Sequence, residues 1–263
     1  MNIVIFALGS QGDVQPYIAL GVGLQRAGHT VRLATHQNYE RAVVTHGLEF
    51  HAMHGDVQAL VESEEMRRLL ERGNFLEISR RTTAESQRAS VQWAKDGLGA
   101  CRDAELLVAG VGGLFLALSL AEKLELPLLR AFVFPFTPTS AFPAALFPKS
   151  LGRFGGTVNR WSHEALRQIM WQGSRGGDAL ARQEVLELKP APFFGPYASK
   201  RLNRFPALYG FSPSVIPPPK DWTEARVTGY WFLDAASDWT PPPRSRRSER
   251  GARRVWFGSM GSR

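Results

Sequence analysis

Asn2-Ile3-Val4-Ile5-Phe6-Ala7-Leu8, then Gly9-Ser10-Gln11-Gly12, then an amphipathic stretch from Asp13 to Ala27 closed by Gly28, then His29-Thr30-Val31-Arg32-Leu33-Ala34-Thr35: this opening decides the fold. An unbroken apolar run bounded by turn formers is the pattern of a strand buried on both faces of a parallel sheet. Pro16 fits the first turn of a following helix. Tyr17, Leu20, Gly21, Leu24 and Ala27 give that helix an apolar face at i, i+3, i+4 and i+7, and Gly28 suits a left-handed C-terminal position. Val31, Leu33 and Thr35 alternate with Arg32 and Ala34, as in a second strand. Strand, tight turn, helix, strand is a βαβ unit, because parallel strands need a crossover between them.

The same grammar continues outward. A helix is expected near 39–46, a strand at 49–53, a polar helical stretch from 56 to about 97, a strand at 105–109, a helix at 114–124 and a strand at 127–134. The expected fold is therefore α/β, a Rossmann-like doubly wound parallel sheet. Beyond Phe136 the period fades into a segment rich in Pro, Gly and aromatics. Helices are expected to resume at 158–171 and 177–188, with short strands near Leu208 and Val227 closing the sheet. Over 236–253 the composition turns to Pro241-Pro242-Pro243 followed by Arg and Ser, which reads as a linker. Val255-Trp256-Phe257-Gly258-Ser259-Met260 then repeats the strand-and-turn grammar of Val4 to Gly12. A strand needs neighbours to pair with. The expected organisation is one domain over 1–235, a Pro/Arg-rich linker over 236–253 and, over 254–263, the first strand of a second, truncated domain.

Charge first suggests a polyanion partner, since 32 Lys and Arg face 24 Asp and Glu and the net is +8. Its distribution argues against that. Residues 244–263 hold seven Arg and one acid, so the rest of the chain carries only +2. The basic run has no interleaved aromatics and sits in the linker, so a nucleic-acid or anionic-membrane binder driven by it is the minor reading. Cys101 stands alone, which excludes a disulfide framework and makes a reducing, cytoplasmic compartment the default. The longest apolar region, 126–148, is broken by Arg130 and five prolines, so no spanning helix is expected.

The first βα turn lies where open α/β sheets bind ligands. A dinucleotide reader needs G-x-G-x-x-G there and an acid after the second strand. This chain has Gly9-Ser10-Gln11-Gly12-Asp13-Val14 and Thr35-His36 instead. A P-loop is excluded too, because no G-K-[ST] follows the turn. Asp13 has two readings. As a helix cap it accepts backbone N–H groups; as a general base it takes a proton from a bound hydroxyl. The two conflict, because hydrogen bonds and the helix dipole favour the ionised form and weaken the base. Ser10 and Gly12 either offer donors to a phosphate or simply make a tight turn. His46, His51 and His54 have no metal-ligand spacing, and no metal site is expected.

Gly9-Ser10-Gln11-Gly12-Asp13-Val14-Gln15-Pro16-Tyr17 with the helix after it resembles the N-terminal signature of bacterial and fungal sterol 3-beta-glucosyltransferases. It is similar also to the glycosyltransferases of the vancomycin pathway, both of the family 28 N-terminal type. Phe134-Pro135-Phe136-Thr137-Pro138-Thr139, Leu208-Tyr209-Gly210-Phe211-Ser212-Pro213, Val227-Thr228-Gly229-Tyr230-Trp231-Phe232 and the terminal Phe257-Gly258-Ser259-Met260 continue the likeness in order. The resemblance implies a GT-B glycosyltransferase with the acceptor on the N-terminal domain and the nucleotide sugar, UDP-glucose, mainly on the C-terminal one. It implies inverting, metal-independent transfer to a hydroxyl of a sterol, lipid or other hydrophobic acceptor, with no cofactor beyond the sugar donor. Asp13 matches the family base; Ser10, Gln11 and Gly12, with Gly258 and Ser259, match turns that approach the donor.

Phe134, Phe136 and Phe142, with Trp161 and Trp171 farther on, either line an apolar acceptor pocket or bury themselves in the core. The Pro-rich loop around them suits peripheral membrane contact. The resemblance implies a donor-binding segment that residues 1–263 do not contain, so the isolated chain is expected to hold the acceptor half of a site with little or no transferase activity, as a fragment of a longer protein, a split enzyme completed by a donor-binding domain in trans, or the product of a degenerated gene. The rival reading is a non-catalytic acceptor-binding module or a degenerate glycosyltransferase fragment.

Overall fold

The computed structural model describes residues 1–55 and 75–233, with side chains placed for all of these but 75–86. They belong to one compact unit, Met1–Leu233. The linker over 236–253 and the strand over 254–263, with Gly258 and Ser259, lie outside the described residues.

Seven strands, β1 (Asn2–Phe6), β2 (Thr30–His36), β3 (Glu49–Met53), β4 (Leu106–Ala109), β5 (Leu128–Phe132), β6 (Ala207–Tyr209) and β7 (Ala225–Val227), form one sheet in the order β3-β2-β1-β4-β5-β6-β7. Every pairing in it is parallel. The doubly wound α/β architecture is thus as the sequence predicts.

Successive side chains of a strand point to opposite faces, so the apolar run of β1 has to be covered twice. Ile3 and Ile5 meet Val14, Tyr17 and Ile18 of α1 (Gln11–Arg26) and Val43 of α2 (Glu40–Thr45). Val4 and Phe6 enter a second core with Ala94 of α3 (Phe75–Ala100), Leu114 and Leu120 of α4 (Leu114–Lys123) and Leu166 of α5 (Gly156–Ala181). The sheet is therefore filled on both faces, as a parallel sheet must be.

Besides β5, expected over 127–134 but ending at Phe132, two helix boundaries differ from expectation. First, α1 starts at Gln11 rather than near Pro16, which lies well inside the helix. The start is set by Ser10 in an extended conformation (φ −80°, ψ 178°) with the Asp13 carboxylate reaching back to its N–H. Consequently the buried face is Val14, Tyr17, Ile18 and Gly21, one turn earlier than the pattern counted from Pro16. Second, the break expected between 171 and 177 does not exist: α5 runs unbroken and continues into a π-helical turn, Arg182–Leu186. Gly176 and Gly177 serve close packing of α5 on α3. A Cβ on Gly177 would stand 3.0 Å from the Ser90 Cβ, and one on Gly176 would stand 2.5 Å from the Gln87 amide. Their low helix propensity, about 1 kcal/mol each, is offset by this interhelical contact.

The aperiodic segment after β5 is held by side chains instead of a ladder. The Tyr209 hydroxyl accepts the N–H of Thr137 at 2.7 Å, Asp221 accepts the Thr139 hydroxyl at 2.6 Å and the Ser140 N–H at 2.7 Å, and the Ser162 hydroxyl accepts the Ala144 N–H at 2.8 Å. His163, fully buried, donates from Nε2 to the Phe142 carbonyl at 3.1 Å. Burial pushes this imidazole below the ordinary histidine range, over the opposing effect of that hydrogen bond; Arg167 also lowers it, while Glu164 and Asp221 raise it. An unfolded chain then binds a proton near pH 6.5 that the folded chain refuses, so His163 costs stability as the pH falls below about 6.5 and nothing above it. Urea midpoints measured from pH 7.5 to 5 are expected to decline more shallowly in His163→Gln than in the native chain. Equal slopes would remove His163 as the cause.

Candidate functional site

The chain leaves β1 toward β2 but leaves β4 toward β5, so the boundary between β1 and β4 is the switch point of the sheet, where a crevice opens at the carboxyl ends of the strands. A cavity of about 410 Å³ lies there, within the range of small-molecule sites. The end of β1 contributes Leu8 and Gly9, the loop after β4 Val111 and Gly112, α4 Phe115, and the segment after β5 Phe134. Trp93 of α3 and Met170 of α5 close the other side. The lining is mainly apolar, and the polar groups within it are few: Asp13, Ser90, Ser119, Ser174 and Asp178.

Asp13 is the third residue of α1 and half-buried on the cavity wall. Its Oδ2 accepts both the Ser10 N–H and the Ser10 hydroxyl, each at 3.0 Å. Oδ1 has no hydrogen-bond partner among the described residues. The cap and the base therefore need not compete for one atom: Oδ2 closes the helix start while Oδ1 remains open to a ligand. Gly9 makes this placement possible. Its φ of +145° is strained for any L side chain, and a Cβ there would stand 2.7 Å from both Cβ and Cγ of Asp13.

One turn below Asp13, the Tyr17 hydroxyl donates to the Ala131 carbonyl at 2.6 Å. Burial and then the Asp13 charge push this phenol far above its ordinary range, so it stays protonated and fixes α1 against β5. Gln11 and Gly12 are exposed in the first turn, where backbone N–H groups have no preceding carbonyl and can meet an anion. Ser10, half-buried, is committed to Asp13.

The three candidate phenylalanines part company. Phe134 lines the cavity. Phe136 is 2% exposed and packs edge-on against Phe132 at 5.1 Å, so it belongs to the core. Phe142 is half-buried between His163 and Trp222, with ring centroids at 6.0 and 6.4 Å, and does not reach the cavity wall. Trp171 is buried, and Trp161 is 66% exposed. The reason is register: Phe134 and Phe136 lie on the same side only while the strand continues, and β5 ends at Phe132. Sequence reasoning missed Gly9, the loop at 110–113, Trp93, Phe115 and Asp178. A signal for the loop was present, since Gly110-Val111-Gly112-Gly113 follows an apolar strand as Gly9-Ser10-Gln11-Gly12 does. For Asp178 there was none: it falls at the start of the helix expected over 177–188, and nothing local sets it against Ser119 and the cavity.

Among the described residues no group of three or more His, Cys, Asp or Glu side chains is placed to hold a metal ion. No helix among them is long and apolar enough to cross a membrane.

Comparison with known proteins matches residues 3–143 to the glycosyltransferase family 28 N-terminal domain. A sterol 3-beta-glucosyltransferase of Cryptococcus neoformans var. neoformans serotype D is 37% identical over 253 residues, covering 92% of this chain and 15% of the relative. One from Aspergillus fumigatus is 36% identical over 247 residues, covering 92% of this chain and 17% of the relative. The chain thus spans about a sixth of the length of these curated relatives. Among solved structures, the Streptomyces sp. SF2575 glycosyltransferase SsfS6 superposes with a TM-score of 0.54 at 18% identity, over 92% of this chain and 57% of that one. The calicheamicin glycosyltransferase CalG4 does so with a TM-score of 0.53 at 16% identity, over 91% and 54%. At such identities the structures attest the fold alone.

Proposed function

This chain belongs to the glycosyltransferase family 28 N-terminal domain, and from that premise we propose that it is the acceptor-binding half of an inverting, metal-independent GT-B glycosyltransferase. The sugar comes from a nucleotide donor, UDP-glucose in this reading, and goes to a hydroxyl of a sterol or similar flat lipid, an acceptor class supported by the sterol 3-beta-glucosyltransferase relatives. One observation carries this: a carboxylate with one oxygen committed and one open, on the wall of an apolar cavity at the switch point.

In this mechanism the acceptor's rings lie against Phe115, Phe134 and Trp93, and its hydroxyl donates to Asp13 Oδ1. As the hydroxyl oxygen attacks the anomeric carbon, Oδ1 takes its proton; the Ser10 bonds to Oδ2 keep the carboxylate aimed throughout. Negative charge grows on the departing diphosphate. The first-turn N–H groups of Gln11 and Gly12 and the helix dipole offset part of it. A donor-binding domain supplies the rest; Gly258 and Ser259, which the family resemblance assigns to donor contact, lie outside the described residues. Exposed Phe193 and Phe194, with Arg175 over the Phe193 ring at 4.5 Å, suit peripheral contact with the cytoplasmic face of a membrane that delivers the lipid.

Titration of cholesterol into the chain, followed through tryptophan fluorescence because Trp93 borders the cavity, is expected to saturate with micromolar affinity, order of magnitude. Glucoside formation is expected only when a donor-binding domain is joined to it. Absence of saturable sterol binding would overturn the acceptor assignment.

A further inference from the structure

A half-buried acid on the wall of the same cavity takes no part in the proton transfer above. Asp178 of α5 lines the switch-point cavity and also a second one, of about 640 Å³, next to it; Phe115 and Ser119 border both as well. These shared residues make the two cavities neighbours across a thin partition. Asp178 Oδ1 accepts the Ser119 hydroxyl at 2.8 Å, and Oδ2 has no hydrogen-bond partner among the described residues. The cation beside them is committed elsewhere. Arg182, 5% exposed, grips both Glu122 oxygens at 3.0 and 2.9 Å and donates to Ser119 Oγ at 3.0 Å and to the Lys189 carbonyl at 2.6 Å.

The result is a polar relay, Glu122 to Arg182 to Ser119 to Asp178, that ends on a carboxyl group without a counter-ion of its own. Burial raises this carboxyl above its ordinary range, and the Ser119 bond and the Arg182 charge only partly offset that. Half-buried, Oδ2 can meet water while the cavity is empty, but a ligand that covers it without offering a donor leaves a polar group buried and unmet, at a cost on the order of 1–3 kcal/mol. A purely hydrocarbon tail lying against Asp178 would impose that cost. A donor on the ligand avoids it.

Resting on the acceptor-binding reading, we propose that Asp178, oriented by Ser119, is a specificity-determining residue that selects acceptors carrying a second hydroxyl, remote from the one that is glycosylated. The acceptor class is then an amphipathic polycyclic or isoprenoid alcohol with polar groups at both ends: one hydroxyl at Asp13 and the other at Asp178, with the apolar body between them.

The test compares cholesterol with its analogue hydroxylated at the end of the side chain, both titrated into the native chain and into Asp178→Leu and Asp178→Ala. The native chain is expected to bind the hydroxylated analogue about tenfold more tightly, the scale of one charge-assisted hydrogen bond. In both variants the ratio is expected to fall to about 1, chiefly through weaker binding of the hydroxylated analogue. A merely structural Asp178 would shift both affinities together. Equal binding of the two sterols by the native chain, or a ratio unchanged by substitution, overturns the proposal while leaving the acceptor site intact. Failure of both sterols to bind overturns the acceptor reading itself and this proposal with it. Should Asp178→Leu not fold, the native ratio and the Asp178→Ala ratio still decide.

Discussion

Asp13→Asn is expected to lower glucoside formation about 10²- to 10⁴-fold, the scale of a lost general base, while leaving sterol affinity within about threefold. The separation follows from how the two carboxylate oxygens are used. Oδ2 is held by the Ser10 N–H and hydroxyl, and an amide oxygen can replace it at the helix start. Thermal stability should therefore change little, by at most about 1 kcal/mol of cap and dipole energy. Oδ1 is the atom that receives the proton, and an amide at that place has no useful basicity. The assay uses UDP-glucose and cholesterol with the chain joined to a family donor-binding domain, beside a binding titration on the chain alone. A variant that keeps full turnover would remove Asp13 from the chemistry. If sterol binds but the joined native protein also makes no glucoside, the non-catalytic binding module becomes the better description.

Gly9→Ala tests the same carboxylate without altering it. A methyl group at residue 9 must fit a φ of +145° and share space with Asp13, whose Cβ and Cγ stand 2.7 Å from the place it would take. The backbone strain costs on the order of 1–3 kcal/mol, and relief of the overlap requires Asp13 to swing from its bonds to Ser10. Turnover is expected to fall about 10²-fold, because displacement of a catalytic group by roughly 1 Å is enough for that. Melting temperature should fall as well, which distinguishes this variant from Asp13→Asn. Unchanged turnover together with a lowered melting temperature would mean that Gly9 serves the turn alone and not the aim of Asp13.

The contrast between the two substitutions shows what kind of information lay in the sequence. Asp13 was readable because its position after a buried strand, in a glycine-bounded turn, is local. Gly9 was readable only as part of a turn; its role as the empty space beside a carboxylate depends on atoms that the fold brings together. Phe134 and Phe136 are alike in the sequence, two residues apart, yet one faces the cavity and the other is buried against Phe132. Their difference comes from β5 ending at Phe132, after which alternation no longer predicts a face. The helix break expected between 171 and 177 is overturned for a related reason. Glycine in a helix looks like an ending when only propensity is weighed, and becomes a contact surface when α3 lies against it.

By itself, the sequence determined the βαβ grammar, the parallel sheet and the location of the first turn at a ligand-binding edge, because hydrophobic periodicity and turn chemistry are properties of neighbouring residues. It also placed the two short closing strands, Ala207–Tyr209 and Ala225–Val227. Only the tertiary structure decided which aromatic meets the cavity, which carboxylate oxygen of Asp13 stays open, and that Asp178 lines the same cavity. Those facts depend on the crossing of α3, α4 and α5 over the sheet, which brings together side chains as far apart in the chain as Leu8 and Asp178. Contacts across such separations are made by the summed packing of two cores, and no local pattern of residues encodes them one at a time.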